Sequence, residues 1–296
     1  MKVLLFSPVC KSLEIFKLAV KSFLNLDRNG IKLDYLFLDD NTDSRTSGLL
    51  SQLIERHENV QLLDFQLNSK TTYKNHDWDG KKIDRIIAIK NAALAYALNK
   101  KYDFVFLVDA DLVLHPHTLQ SLLASQKHFI FTIFWTKFRT DSPYTPNAWD
   151  YHSWNYHSPD SYFRLKNPGI YEVGGGGACT LLSKEILQKG LSFDRLLSLN
   201  FPGEDRHFCT RAQALGYAVH VDTSYPAYHL FTEDLVEEAN EWYNHGANPH
   251  FFDQWLTDQW EKEVKARFEF KDNFGARFKK FLFDIKKSYK LNFSRD

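Results

Sequence analysis

Three short acidic motifs bound the chemistry open to this chain. Asp109-Ala110-Asp111 follows a buried apolar run, Phe104–Val108. Two carboxylates flanking a small residue at a strand end can hold one divalent ion. Hard oxygen ligands favour Mn²⁺ or Mg²⁺, and the ion's remaining positions suit a diphosphate. Such an ion would neutralise charge on a departing phosphate as a Lewis acid. The plainer reading is an acidic turn, since Asp is common where strands end. Asp39-Asp40 closes an earlier apolar run, Leu33–Leu38. A carboxylate there can accept from a ribose hydroxyl or a base N–H, and an Asx turn with Asn41 and Thr42 suits the same residues. Glu204-Asp205 follows Pro202-Gly203 at a helix start. Helix N-termini favour carboxylates for their own sake, but an acid here could also take a proton from a hydroxyl.

Other residues could complete such a site. His229, in Tyr228-His229-Leu230, offers an imidazole as third ligand to a Mn²⁺-type ion, although the chain has 12 histidines and chance placement is easy. Gly174 to Gly177 are four consecutive glycines without the spacing of a dinucleotide fingerprint. They let a sugar lie close to backbone, or else mark a bulge or tight bend. Between Trp149 and Phe163 lie Trp149, Tyr151, Trp154, Tyr156 and Tyr162 among His and Asn. Aromatic faces of this kind stack on the apolar faces of sugar rings. Packing into a satellite core would explain them as well.

The elements that position these residues alternate in kind. Strands are expected at Val3–Val9, Leu33–Leu38, Val60–Phe65, Phe104–Val108 and Phe129–Trp135. Helices are expected after Ser12 as a cap, at Gly48–Arg56 and at Ile83–Leu98, with another opening near Pro116. This alternation predicts right-handed βαβ units: an α/β, Rossmann-like, mainly parallel sheet flanked by helices. Ligands of such sheets bind beyond the carboxyl ends of the strands, where Asp39-Asp40 and Asp109–Asp111 both fall. Arg139–Pro168 is long, aperiodic and aromatic, which suggests a functional loop. Helices follow near Ser183–Lys189 and Glu204–Leu215, then a strand at Ala218–Asp222. After Phe231 the character becomes helical, so the chain reads as a catalytic domain over 1–231 and a helical C-terminal extension over 232–296.

Composition narrows the class. Of 296 residues, 44% are hydrophobic, enough for a substantial core. Lys plus Arg and Asp plus Glu both total 37, so the charge balance points away from nucleic acid. Three scattered cysteines form no metal or redox pair and suit a reducing cytoplasm. The N-terminal run is too short and too interrupted by Pro8 for a signal peptide, and no run is long enough to span a bilayer.

Taken in order, the motifs resemble family 2-type glycosyltransferases of the GT-A fold, from Met1 to about Phe231. Leu36-Phe37-Leu38-Asp39-Asp40-Asn41 is similar to their nucleotide-binding strand end, and Asp109-Ala110-Asp111 to their DxD motif. Ala88-Ile89-Lys90-Asn91-Ala92-Ala93 resembles their Ala-x-Arg-Asn-x-Gly helix, with Lys90 for Arg and Ala93 for Gly. Gly175-Gly176-Gly177-Ala178 resembles the small-residue strand before their acceptor region, and Gly203-Glu204-Asp205 their Glu-Asp helix. The resemblance implies a UDP-, GDP- or dTDP-linked sugar donor held by Asp39, Asp40, Lys90, Asn91, Asp109 and Asp111. It implies Mn²⁺ or Mg²⁺ on Asp109, Asp111 and His229. Asp205 would be the base and Glu204 would orient the acceptor, which would meet Trp149, Trp154 and Gly175–Gly177. A single base implies inversion at the anomeric carbon.

Two departures matter. The aromatic insertion is long, and the Gly run, acidic helix and final His-ended strand also look like retaining mannosyltransferases of the Anp1 type. A non-catalytic sugar-nucleotide-binding module is a further alternative. A nucleotidyltransferase is less apt, because the first strand is followed by Ser7-Pro8-Val9-Cys10-Lys11-Ser12 instead of a glycine-rich basic loop. Finally, Phe274–Phe293 interleaves apolar residues with lysines. It suits either an interfacial helix on anionic lipid, apt for a lipid-linked rather than a free glycan acceptor, or a helix docked on the domain.

Overall fold

The computed structural model describes residues 1–65, 80–136, 144–151, 164–199 and 203–259. Trp154, Tyr156, Tyr162 and the basic tail from Phe274 to Phe293 lie outside the described residues.

The sheet is built from alternating apolar strands. Its parallel half comprises β1 (Lys2–Val9), β2 (Lys32–Asp39), β3 (Val60–Leu62) and β4 (Phe104–Val108). They lie in the order β3-β2-β1-β4, with β1 parallel to both β2 and β4. Successive side chains on these strands point to opposite faces. Leu4, Phe6, Leu36, Leu38, Val105 and Leu107 therefore join one core cluster, while Val3, Leu5, Tyr35, Phe37, Phe106 and Val108 join the other.

Helices cover both clusters. On the second lie α1 (Leu13–Leu24), through Phe16 and Phe23, and α2 (Ser44–Arg56), through Leu50 and Leu53. On the first lies α3 (Gly80–Asn99), through Ile83, Ile87 and Leu94. Ser12 occupies the N-cap position of α1 but its side chain makes no capping bond. Asp43 does cap α2, accepting from the Arg45 N–H.

The second half of the sheet is mixed. A two-residue strand, β5 (Leu112–Val113), follows the Asp109–Asp111 turn; α4 (Thr118–Ala124) and β6 (Phe129–Thr136) come next. β7 (Thr145–Pro146) pairs with β6, and β8 (Ala148–Trp149) pairs with β10 (Gly175–Gly176) in a separate two-stranded sheet. β9 (Ile170–Val173) and β11 (Cys179–Ser183) complete this part, with β11 inserted antiparallel between β4 and β6. α5 (Lys184–Gln188) and α6 (Glu204–Ala214) lead to β12 (Val219–His229).

That last strand is longer than its sequence suggests. The expected strand stops at Asp222, and the register against β6 does shift between Asp222 and Ala227. The strand resumes, however, and pairs His229 with Leu112 of β5. A bulge absorbs the proline without ending the strand.

Beyond residue 231, α7 (Val236–Asn244) and α8 (Phe251–Gln259) bury Trp242 and Phe252 in the same cluster as Tyr228. Lys21 Nζ of α1 donates to Asn244 Oδ1 at 2.9 Å. Among the described residues, no helix is long and apolar enough to cross a membrane.

Candidate active site

Backbone pairing assembles the first centre. β4 delivers Asp109 and Asp111 to the carboxyl edge of the sheet, where the Asp109 N–H donates to the Ala178 carbonyl (2.8 Å) and the Leu230 N–H to the Asp111 carbonyl (2.8 Å). With the Leu112–His229 pairing, these bonds fix the end of β12 against the turn. The His229 Nε2 consequently sits 3.4 Å from Asp111 Oδ2. Its Nδ1 shares a 2.7 Å hydrogen bond with Thr136 Oγ1, which orients the ring. Lys11, just past β1, places Nζ 2.6 Å from the same Asp111 oxygen. Burial opposes the charge of Asp111, but Lys11 and His229 outweigh it and hold this carboxyl well below the usual range.

The second centre lies at the start of α6. Lys90 of α3 is buried, and its ammonium pairs with Glu204 Oε1 at 2.8 Å and Asp205 Oδ1 at 3.3 Å. Burial would discharge Lys90, but Asp205, Glu204 and Asp109 outweigh it and raise its pKa. For Glu204 too, burial is the largest influence and would raise its pKa, yet the Lys90 ammonium wins and lowers it. Asp205 differs. Burial, aided by the Glu204 charge and only partly offset by Lys90, pushes it up to about 6. Its side chain remains 32% exposed, so it is open to an incoming group. Two adjacent carboxyls thus have separated affinities for a proton, the arrangement a general base requires.

Asp109 joins the two centres electrostatically. Burial first, then the charges of Asp111, Asp205 and Glu204, raise it to about 7 against the pull of Lys90. The bridge is physical as well. Ala178, whose carbonyl holds the Asp109 N–H, has φ 71°; a non-glycine residue there is strained, and such strain clusters at functional sites. At the preceding residue, a Cβ built on Gly177 would lie 2.5 Å from Asp205 Oδ2. Asn147 fixes this segment by donating to the Gly177 carbonyl at 2.9 Å while accepting the Phe134 N–H.

The glycine run therefore serves the protein's own groups. Cβ atoms at Gly175 and Gly176 would strike the rings of Trp149 and Phe131. Gly177→Ala is expected to displace the Asp205 carboxyl and lower kcat by on the order of 100-fold, the scale of an ångström-sized misplacement. Steady-state kinetics beside a thermal melt would check this; unchanged kcat in a folded variant would contradict it.

The remaining sequence candidates fall into two groups. Trp149 faces the second centre, with the Arg206 guanidinium 4.7 Å from its ring centroid. Asp39 forms the Asx turn, accepting from Asn41 N (3.0 Å) and Nδ2 (2.9 Å). Asp40 is buried and held by both ends of the Arg85 fork, Nε at 3.0 Å from Oδ2 and Nη2 on Oδ1. Asn91 binds the 193–194 segment, donating to Asp194 Oδ1 and accepting the Phe193 N–H, both at 2.8 Å. Lys90 and Asn91 thus engage protein groups.

Comparison with known proteins identifies the family. Residues 40–243 match the family model described as glycosyltransferase like family 2. The chain belongs to that glycosyltransferase family. Among solved structures it is similar to GalNAc-T7 crystallised with UDP, GalNAc and Mn²⁺: 13% identity, TM-score 0.52, 77% of this chain and 43% of that one. The chain thus spans less than half of that relative, and the likeness establishes a shared GT-A fold. S. aureus TarS 1–349 aligns at 16% identity over 89% of this chain and 75% of its own, TM-score 0.47. Its UDP-GlcNAc complex aligns at 14% over 85% and 73%, TM-score 0.48. No curated protein matches.

Lys90→Met leaves buried Glu204 without its cation. We expect a loss of about 3 kcal/mol of stability, with Lys90→Arg restoring part of it. If Asp205 serves as a base it must be ionised, and activity should then rise with pH through about 6. Without the ammonium that eases its ionisation, this acid limb moves to higher pH. A pH–rate profile that kept its acid limb in place would contradict the assignment.

Proposed function

We propose that this chain moves a sugar from a nucleoside-diphosphate donor to an acceptor hydroxyl with inversion. One observation carries the reading: a carboxyl poised near 6, Asp205, stands across the Gly177-Ala178 segment from the Asp109–Asp111 turn. On this reading a base and a diphosphate site lie on either side of one short backbone segment.

Among the described residues, no three His, Cys, Asp or Glu side chains lie close enough to hold a metal ion by themselves. Asp111 and His229 offer two ligands, which suits Mg²⁺ or Mn²⁺ completed by substrate phosphate oxygens. If Nδ1–H donates to Thr136, the His229 Nε2 would turn its lone pair to the ion in place of its present contact with Asp111 Oδ2. The bound ion would supply Lewis-acid neutralisation of the leaving diphosphate.

The protein's own groups do the rest. Asp205 takes the acceptor's proton as its oxygen bonds to the anomeric carbon and the donor's glycosidic C–O bond breaks. Glu204, kept charged by Lys90, holds the acceptor in line. Trp149, on which the Arg206 guanidinium stacks, would line the acceptor's side of the site, whether the acceptor is a free glycan or a lipid-linked one. Asp40 with Arg85 forms a polar floor for the nucleoside.

GalNAc-T7 was crystallised with UDP and Mn²⁺, so UDP-sugars are the first donors to try. Incubating UDP-, GDP- and dTDP-sugars with protein and Mn²⁺ should reveal hydrolysis of one of them, abolished by EDTA. Tight binding without turnover would favour a non-catalytic module, and retention of anomeric configuration in the transfer product would overturn the base assignment.

A further inference from the structure

We propose that Lys11 is a tethered cation for the donor's diphosphate and that it shares Asp111 with the divalent ion. The inference rests on the reading of Asp111 and His229 as the donor's binding centre. Lys11 is not at the site by accident of a flexible chain. Its backbone N–H donates to Asn41 Oδ1 at 3.0 Å, and its carbonyl accepts from Thr46 Oγ1 at 3.2 Å. Both ends of the residue are thereby tied to the segment that follows β2.

The strand order explains the aim. β1 lies between β2 and β4, so the turn after β1 sits between the turns that carry Asp40 and Asp111. A donor with its nucleoside over the first and its diphosphate over the second must cross Lys11. The ammonium and His229 Nε2 already meet the same oxygen, Asp111 Oδ2, at 2.6 and 3.4 Å. A divalent ion on that oxygen would repel an ammonium so near. The Lys11 side chain is 28% exposed, and its four-carbon stem gives the charge room to swing off Asp111. The phosphate oxygens that complete the ion's shell would meet it there, and a compact ammonium is well suited to bind them. Lys11 thus neutralises Asp111 before the donor arrives and the diphosphate afterwards.

The test uses equilibrium binding. UDP, GDP and dTDP are titrated in turn into the intact protein, Lys11→Met, Lys11→Gln and Lys11→Arg, once in EDTA and once with MnCl₂; free Mn²⁺ is read by its paramagnetic resonance. In EDTA, Lys11→Met and Lys11→Gln should bind nucleotide roughly ten- to a hundredfold more weakly, the scale of a lost charge-assisted hydrogen bond, and Lys11→Arg should recover much of it. With nucleotide saturating, Lys11→Met should need several-fold less Mn²⁺, because no resident cation competes for Asp111. Unchanged EDTA affinity in either neutral variant, or a higher Mn²⁺ requirement in Lys11→Met, overturns the proposal and leaves the donor reading standing. If none of the three nucleotides binds the intact protein with Mn²⁺, the donor reading falls and this inference falls with it.

Discussion

Asp205→Asn should lower kcat by roughly 10²- to 10⁴-fold, the usual contribution of a positioned general base, while nucleotide affinity stays within about twofold. Asn keeps the shape of the carboxyl, so the glycine-lined space beside Gly177 is filled as before. Lys90 retains its 2.8 Å pair with Glu204, so the buried cation does not lose its partner and the fold should survive. One secondary effect has a definite sign. The Asp205 charge helps to raise Asp109, so Asp109 should ionise at lower pH in the variant. An acid exchange followed by spectroscopy on Asp109 would then separate loss of the base from general collapse of the site. A kcat within tenfold of the parent would mean that some other group removes the proton.

Much of the frame was legible in the sequence because it follows from local periodicity. Strands at Phe104–Val108 and Leu33–Leu38 are apolar runs ended by acids, and the structure keeps them within one or two residues. What periodicity could not supply was the pairing of distant segments. The strand was expected only as far as Asp222, and beyond it lies the physical reason for His229 to matter: its ladder partner is Leu112, next to Asp111. A lone histidine among 12 carries no such information.

The glycine run was visible, but its purpose was not. Space left by a missing Cβ can admit a ligand or a protein group, and at Gly177 the occupant is Asp205 itself. Lys90 showed the same ambiguity. A basic residue on a helix near a phosphate site suggests the phosphate, whereas burial beside Glu204 and Asp205 makes it their counter-charge. Neither Lys11 nor Arg85 stands out as a site residue in the sequence, because each belongs to no motif. The order β2-β1-β4 would have singled out Lys11, since it puts the first βα turn between the two acidic ones.

Asp111→Asn is the companion case, and its expected result differs in kind. Metal-dependent turnover should drop by at least ~100-fold, the scale seen when one preorganised electrostatic contact is removed, and Mn²⁺ should bind far more weakly in the presence of nucleotide. Loss of Asp111 removes the anion common to Lys11 and His229, so the site becomes more positive just where a dication must enter. Stability should suffer less than the burial of Asp111 suggests, because the freed Lys11 ammonium can move into solvent while Asn still fills the volume. Lys11→Met deletes the same ion pair from its other end and is expected to tighten Mn²⁺. Two substitutions that break one contact but shift metal affinity in opposite directions cannot be explained by loss of structure. A shift in the same direction for both, with melting temperatures preserved, would mean that Asp111 serves to anchor Lys11 and not to hold a metal.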